Sequence, residues 1–366
     1  MNRRWPPLIS LHPIVPVVAG VATVWALFFA WYLWGIYHGD PLRGLHLASA
    51  STNPYDGQFV YYIAQELRPA QVASRLDVPA YRYQRILLPL LSRLACGGKG
   101  ACLPWAIYAW DALSHLIAVG LLAGWLRRRG HSPWWALMGY GLWPGLVAAF
   151  LAGLPEPLTY ALVIVALVAA ERERPAAMAL AYTLAVLAKE VALIFVVGHG
   201  LWALWQRRRD QALWLGLPVV VFLGWQGLLW HWFGHPGVGS GGAGATGWAW
   251  LPLAGLIEIG LYSPLLLAVD ALLFAPVWAP AVLALPWSLG AWKPSGLSLE
   301  AVLFLVNALP VLFLPLSTFR EPAGLLRVGT GLQLAFVLFA LTHRHQAALR
   351  RLTPIALALN VFWLLG

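Results

Sequence analysis

The chain has 366 residues, 60% of them hydrophobic and only 10% charged, with a mean hydropathy of +0.71. So much apolar surface against so little charge excludes both an ordinary water-soluble domain and a disordered chain. A formal net charge of +10 and a pI near 9.9 fit attraction to anionic lipid headgroups; with a membrane setting and no recognisable binding module, nucleic acid is excluded as a partner.

Apolar runs long enough to cross roughly 30 Å of hydrocarbon as helices recur from near the N-terminus to the end. A barrel's weaker alternating pattern is absent, so the expected fold is all-α: one polytopic transmembrane bundle over residues 1–366. The predicted spans are 14–37, 103–126, 133–152, 155–170, 176–189, 191–206, 212–233, 262–290, 297–317, 325–342 and 353–366, about eleven in all. The first run is too long for a signal-peptide core and reads as an uncleaved span.

Basic clusters set the orientation, because short cytoplasmic loops hold an excess of Lys and Arg. Arg3-Arg4, Arg127-Arg128-Arg129, Arg172 with Arg174, Arg207-Arg208-Arg209, Lys293, and Arg344 with Arg350-Arg351 all fall on one side if the N-terminus is cytoplasmic. The other side collects the first loop (38–103), Glu156 between two prolines, Lys189-Glu190, a glycine-rich loop (234–250), and Arg320-Glu321-Pro322.

The first loop carries Arg43, Arg68, Arg75, Arg82, Arg85, Arg93 and Lys99. A loop of roughly 60 residues or more escapes the charge bias, so these cations call for another explanation. After Asp56-Gly57, Phe59, Tyr62, Ile63 and Leu67 fall at helical spacing and predict an interfacial helix that ends at Pro69. A second interfacial segment, residues 81–91, interleaves Tyr81, Arg82, Tyr83 and Arg85 and then turns apolar. Cys96 and Cys102 would face an oxidising space where a disulfide can form; two thiols with no His beside them do not make a zinc site. The loop around Gly237 to Gly247 lacks the Gly-Lys-Ser/Thr ending of a nucleotide loop and reads as a flexible lid.

Tyr55-Asp56-Gly57-Gln58-Phe59, the segment from Tyr81 to Pro89, Leu154-Pro155-Glu156-Pro157-Leu158, Ala188-Lys189-Glu190, and Arg320-Glu321-Pro322 through Arg327 resemble bacterial multispanning proteins of cell-surface glycopolymer formation. These are similar to GT-C class glycosyltransferases. The resemblance runs from the first span to about Arg327, and its first two motifs are the distinctive ones. It implies a GT-C-like fold in the bacterial cytoplasmic membrane, with an acidic residue of the first extracytoplasmic loop, here Asp56, as catalytic base. The donor would be a polyprenyl-phosphate sugar and the acceptor a glycan or lipid-linked molecule; no cofactor is implied, and the metal requirement is open.

The residues support the same chemistry independently. Inverting glycosyl transfer needs a carboxylate to take the acceptor's hydroxyl proton, and cations aimed at the departing phosphate. Asp56 fits the first task. Arg82, Arg85, Lys189, Arg320 and Arg327 are candidates for the second, the first two leading because guanidinium grips phosphate bidentately. Tyr55, Gln58, Tyr81, Tyr83, Glu156, Glu190 and Glu321 complete the candidate substrate-binding set.

Each residue also has a plainer role. Asp56 would cap the helix beginning at Gly57, Lys189 and Glu190 would pair locally, Glu156 would meet a helix dipole, and Arg320-Glu321-Pro322 would form a turn. Asp111 and His115, four apart, would satisfy each other, and Asp270 is an intramembrane carboxylate with no partner evident. Two other functions fit the same layout: a transporter or flippase of a lipid-linked or anionic substrate, and a non-catalytic scaffold of glycan assembly. Half-to-half internal symmetry, which many transporters show, is not evident.

Overall fold

A computed structural model describes residues 13–47, 49, 55–239, 241–273, 275–294 and 296–364. Arg3-Arg4, Asn53, Pro54 and Ser240 therefore lie outside the described residues. The described chain is all-α, without strands. Proline, 27 residues in all, opens many of its helices at the first or second position, where the missing N–H removes only a donor that has no intrahelical partner. The main helices are α1 (Val15–Ala30), α2 (Gly57–Gln65), α3 (Pro79–Tyr83), α4 (Leu87–Cys96), α5 (Leu103–Arg128), α6 (Pro144–Leu151), α7 (Glu156–Glu171), α8 (Pro175–Ala188), α9 (Leu193–Trp205), α10 (Gly216–Phe233), α11 (Ala275–Gly290), α12 (Leu299–Leu312), α13 (Pro322–Val328), α14 (Thr330–Thr342) and α15 (Gln346–Ala358).

Among the described residues, four helices are long and apolar enough to cross a membrane: Val15–Ile36, Leu103–Arg128, Arg209–Phe233 and Gln346–Leu364. A fifth is counted if Pro264–Ala271 and Ala275–Gly290, bent by 72°, form one broken span. Others of the eleven expected segments are shorter or interrupted. Helix α8 has 14 residues, which at 1.5 Å per residue is about 21 Å, short of the roughly 30 Å hydrocarbon core. Segment 133–152 divides into a π-helical turn and α6 around Trp143-Pro144, and segment 325–342 divides at Gly329.

Helices α5, α7 and α8 pack side by side and form the middle of the bundle. Inside it the expected pairing of Asp111 with His115 does not occur. The His115 ring stacks on Trp25 at 4.0 Å and its Nε2 lies 3.0 Å from the Gly141 carbonyl, so the ring is engaged away from the carboxylate. Asp111 lies against the opening turn of α7 at Leu158. Asp270 is buried, and its carboxylate has no hydrogen-bond partner among the described residues.

The first loop does form helices, and their apolar stripe packs against other parts of the protein. Phe59, Tyr62, Ile63 and Leu67 join Val72, Leu76, Ala80 and Tyr83 in a small core of their own, closed by Leu229, Trp225 and Phe233 at the end of α10. That packing turns the loop into a cap on one end of the bundle. Cys96 and Cys102 form a disulfide across the turn joining α4 to α5.

Candidate functional site

Asp56 is placed by the glycine that follows it. A Cβ on Gly57 would stand 2.0 Å from the Ala152 carbonyl oxygen, so only glycine lets α2 start against the end of α6. The expected capping role is not filled: Asp56 occupies the N-cap position in a helical conformation, and its side chain accepts no bond from the helix. The carboxylate turns instead toward two guanidinium groups. Its Oδ1 is 2.9 Å from Nη1 of Arg82, and its Oδ2 is 3.9 Å from Nη2 of Arg327. With 26% of its side chain exposed, Asp56 is reachable from outside while its partners are nearly buried.

Arg82 sits on α3, which Pro79 opens. Its Nε and Nη2 donate to Asp77 at 2.7 and 2.8 Å, and its plane lies 4.3 Å from the centre of the Phe59 ring. Burial raises the Asp77 pKa, but hydrogen bonds from Arg82 and the Ala243 N–H outweigh it and hold the carboxyl down at about 2. Arg85, three residues on, grips Glu190 bidentately at 2.9 and 2.6 Å and donates to the Tyr81 hydroxyl at 2.7 Å.

Glu156 lies at the first position of α7, where the helix dipole favours a carboxylate, yet the dipole is the smaller part of its setting. Its Oε1 accepts from Lys189 Nζ at 2.7 Å and from Arg327 Nε at 2.8 Å, in a spot where only 1% of the Glu156 side chain is exposed. Arg327 also donates to the Tyr55 hydroxyl. Lys189 and Glu190 do not form the expected local pair. Lys189 is extended, with φ −158° and ψ 134°, so consecutive side chains diverge: Lys189 reaches Glu156 and Glu190 reaches Arg85.

Four acids, Asp56, Asp77, Glu156 and Glu190, thus interleave with four cations, Arg82, Arg85, Lys189 and Arg327, at one end of the bundle. Segments as far apart in sequence as Tyr55 and Arg327 meet there. Three nominated residues stand apart. Tyr83 is built into the core of the cap, its hydroxyl donating to the Leu67 carbonyl and its ring stacked near Trp225, apart from the ion-pair cluster. Arg320 and Glu321 are exposed at the turn before Pro322 and enter no ion pair among the described residues, as the turn reading expects. Gln58 is buried at the start of α2, two residues from Asp56 in sequence.

Asp77 and the glycine loop's contact with Arg82 were not singled out from the sequence, and Phe59 was read there as part of an apolar stripe and a motif rather than as a partner of Arg82. The available signal for Asp77 was modest: an acid at the entrance of a proline-opened helix, five residues before an arginine.

A cavity of about 350 Å³ lies at the other end of the bundle, between α5, α7, α9 and α12. Its rim holds Arg129, Glu171, Arg208 and Glu300, and Arg129 is already paired with both Glu171 and Glu300. The described residues contain no group of three or more His, Cys, Asp or Glu side chains placed to hold a metal ion.

Compared with protein-family models, characterised proteins and solved structures, the chain matches none.

Proposed function

We propose that the chain is an integral membrane glycosyltransferase of GT-C type, with about eleven membrane-crossing or partly crossing segments, the N-terminus cytoplasmic and the Asp56 end extracytoplasmic. It takes a sugar from a polyprenyl-phosphate donor and adds it to a cell-surface glycan or lipid-linked acceptor. The observation that carries this reading is the setting of Asp56: a partly exposed carboxylate held between Arg82 and Arg327 at the capped end of an apolar bundle.

In the reaction the acceptor hydroxyl oxygen attacks the anomeric carbon and loses its proton to the Asp56 carboxylate. The bond from that carbon to the carrier phosphate breaks, its electron pair leaves with the phosphate, and the configuration inverts. Arg82, and behind it Arg85, Lys189 and Arg327, supply positive charge where the leaving group gains negative charge. Every one of these cations is paired with a carboxylate, so an incoming phosphate has to take over a partner. Asp56 is the most exposed side chain of the cluster.

Purified protein in nanodiscs, offered a panel of polyprenyl-phosphate sugars and scored for release of free lipid phosphate, tests this reading. Release with at least one donor supports it; no release across the panel with folded protein counts against it. A transporter is the second reading because His115 Nδ1 and the Tyr140 hydroxyl are buried inside the bundle without hydrogen-bond partners among the described residues. Substrate flux in sealed liposomes without chemical change would favour it.

A further inference from the structure

Arg82 has no open face. Its Nη1 meets Asp56, its Nε and Nη2 meet Asp77, and Phe59 covers its plane. The remaining side is closed by the glycine-rich segment 241–247. A Cβ built on Gly242 would stand 2.6 Å from Arg82 Nη2 and 3.6 Å from Asp77 Oδ2, so the strap passes close enough that a larger residue there would push the guanidinium aside. Immediately after it the Ala243 N–H donates to Asp77 Oδ2 at 3.0 Å.

Among the described residues, the strap is tied at few points. Upstream, Gln226 Oε1 accepts from the N–H groups of Gly237 and Val238 at 2.8 and 3.0 Å. Downstream, Thr246 and Ser317 exchange bonds: each backbone N–H donates to the other's hydroxyl oxygen at 3.1 Å. The chain is exposed from Ala243 to Gly247, and among the described residues no apolar side chain of this stretch joins a core cluster. The Asp77 bond is the hold that lies over the guanidinium.

We propose that Asp77 is a positioning residue that orients Arg82 and latches segment 241–247 over it as a displaceable cover, which an entering phosphate monoester or diester lifts by competing with Asp77 for the guanidinium. This rests on the phosphate-donor reading above and deepens it by assigning the first contact of the donor's charged group. The competition is chemically matched, because carboxylate and phosphate present the same pair of acceptor oxygens to an arginine fork. Once Arg82 turns to the phosphate, the Oδ2 lone pairs that hold Ala243 lose the geometry that aims them.

The test uses the full chain in nanodiscs, with a spin label on Ala245→Cys. The two native cysteines are joined to each other, so this is the one free thiol. Asp77→Asn keeps the shape but loses the charge, and its NH2, which cannot accept, must replace either the oxygen that meets Arg82 Nε or the one that meets both Arg82 Nη2 and the Ala243 N–H. Losing charge-assisted bonds of this kind predicts a roughly tenfold rise in the mobile fraction of the label without ligand. In the unmutated background, a polyprenyl phosphate should raise the mobile fraction in the same direction. Unchanged mobility in Asp77→Asn overturns the latch.

A second variant does not depend on how well that substitution folds. Thr246→Cys with Ser317→Cys, whose parent hydroxyls are 3.1 Å apart, locks the strap when oxidised. The oxidised lock is expected to weaken polyprenyl phosphate binding roughly tenfold, with recovery on reduction and no effect of the reductant on the unmutated protein. Undiminished binding by the oxidised lock overturns the displaceable cover. If the strap loosens and the lock blocks phosphate binding while sugar transfer is never seen, the latch stands and the glycosyltransferase reading falls.

Discussion

Replacing Glu156 by Gln should be the most damaging isosteric change in the site. The glutamate supplies the charge that two nearly buried cations share: Lys189 and Arg327 are 7% and 9% exposed and both bond to the same Oε1. Glutamine keeps volume and an acceptor oxygen, so no cavity term enters; what is lost is the counter-charge. Removing one partner of a buried ion pair typically destabilises by about 3–5 kcal/mol. The lower end is expected here, because Arg327 retains Asp56 at 3.9 Å and the Tyr55 hydroxyl. The assay is unfolding by graded SDS in mixed micelles, with Lys189→Met made alone and together with Glu156→Gln. Since Lys189→Met removes one of the stranded cations, the double variant should recover about 1–2 kcal/mol relative to the sum of the singles. A single Glu156→Gln cost below about 1 kcal/mol, or strict additivity with Lys189→Met, would refute the shared-carboxylate account.

Three further outcomes follow from the geometry. Arg82→Ala and Arg85→Ala should each weaken binding of a polyprenyl phosphate by roughly tenfold, the loss of one charge-assisted contact, measured by titration in nanodiscs; equal affinity in both variants and the parent contradicts their role. The Asp77 latch should be insensitive to pH over the neutral range. Its folded pKa, about 2, lies below the usual carboxylate value of 3.8, so its contribution is complete above the latter and is lost as pH falls through the former. The Ala245 label should therefore stay restrained from neutral pH down to the ordinary carboxylate range, and release in that range would oppose the assignment. Cys96→Ser with Cys102→Ser should lower stability by about 2 kcal/mol, as expected for a short closed loop, in the same SDS assay, while leaving phosphate binding unchanged.

The fold class was legible because it rests on composition and run length, which local sequence carries. The number of full crossings was less so. Hydropathy does not register where a run is interrupted, and the breaks at Trp143-Pro144 and Gly329 and the 72° bend before Ala275 set helix lengths by backbone geometry. Of the candidate site, the residue types and the end of the bundle were readable from where charges alternate with apolar runs. Their pairing was not. Lys189 and Glu190 are neighbours in sequence and diverge in space because Lys189 is extended. Glu156 and Arg327, 171 residues apart, share a hydrogen bond that only the packed bundle creates. Asp77 was overlooked because its significance comes from Arg82 and from a glycine strap 166 residues away, neither of which its own neighbourhood announces.

The central claim is that Asp56 takes the acceptor's proton while the neighbouring arginines hold the carrier phosphate. The most direct measurement compares Asp56→Asn with the parent for lipid phosphate release from an active donor, alongside donor affinity. The proposal expects release to fall by at least about a hundredfold, the usual scale of a general base, with polyprenyl phosphate still bound. Release by Asp56→Asn at the parental rate would contradict it.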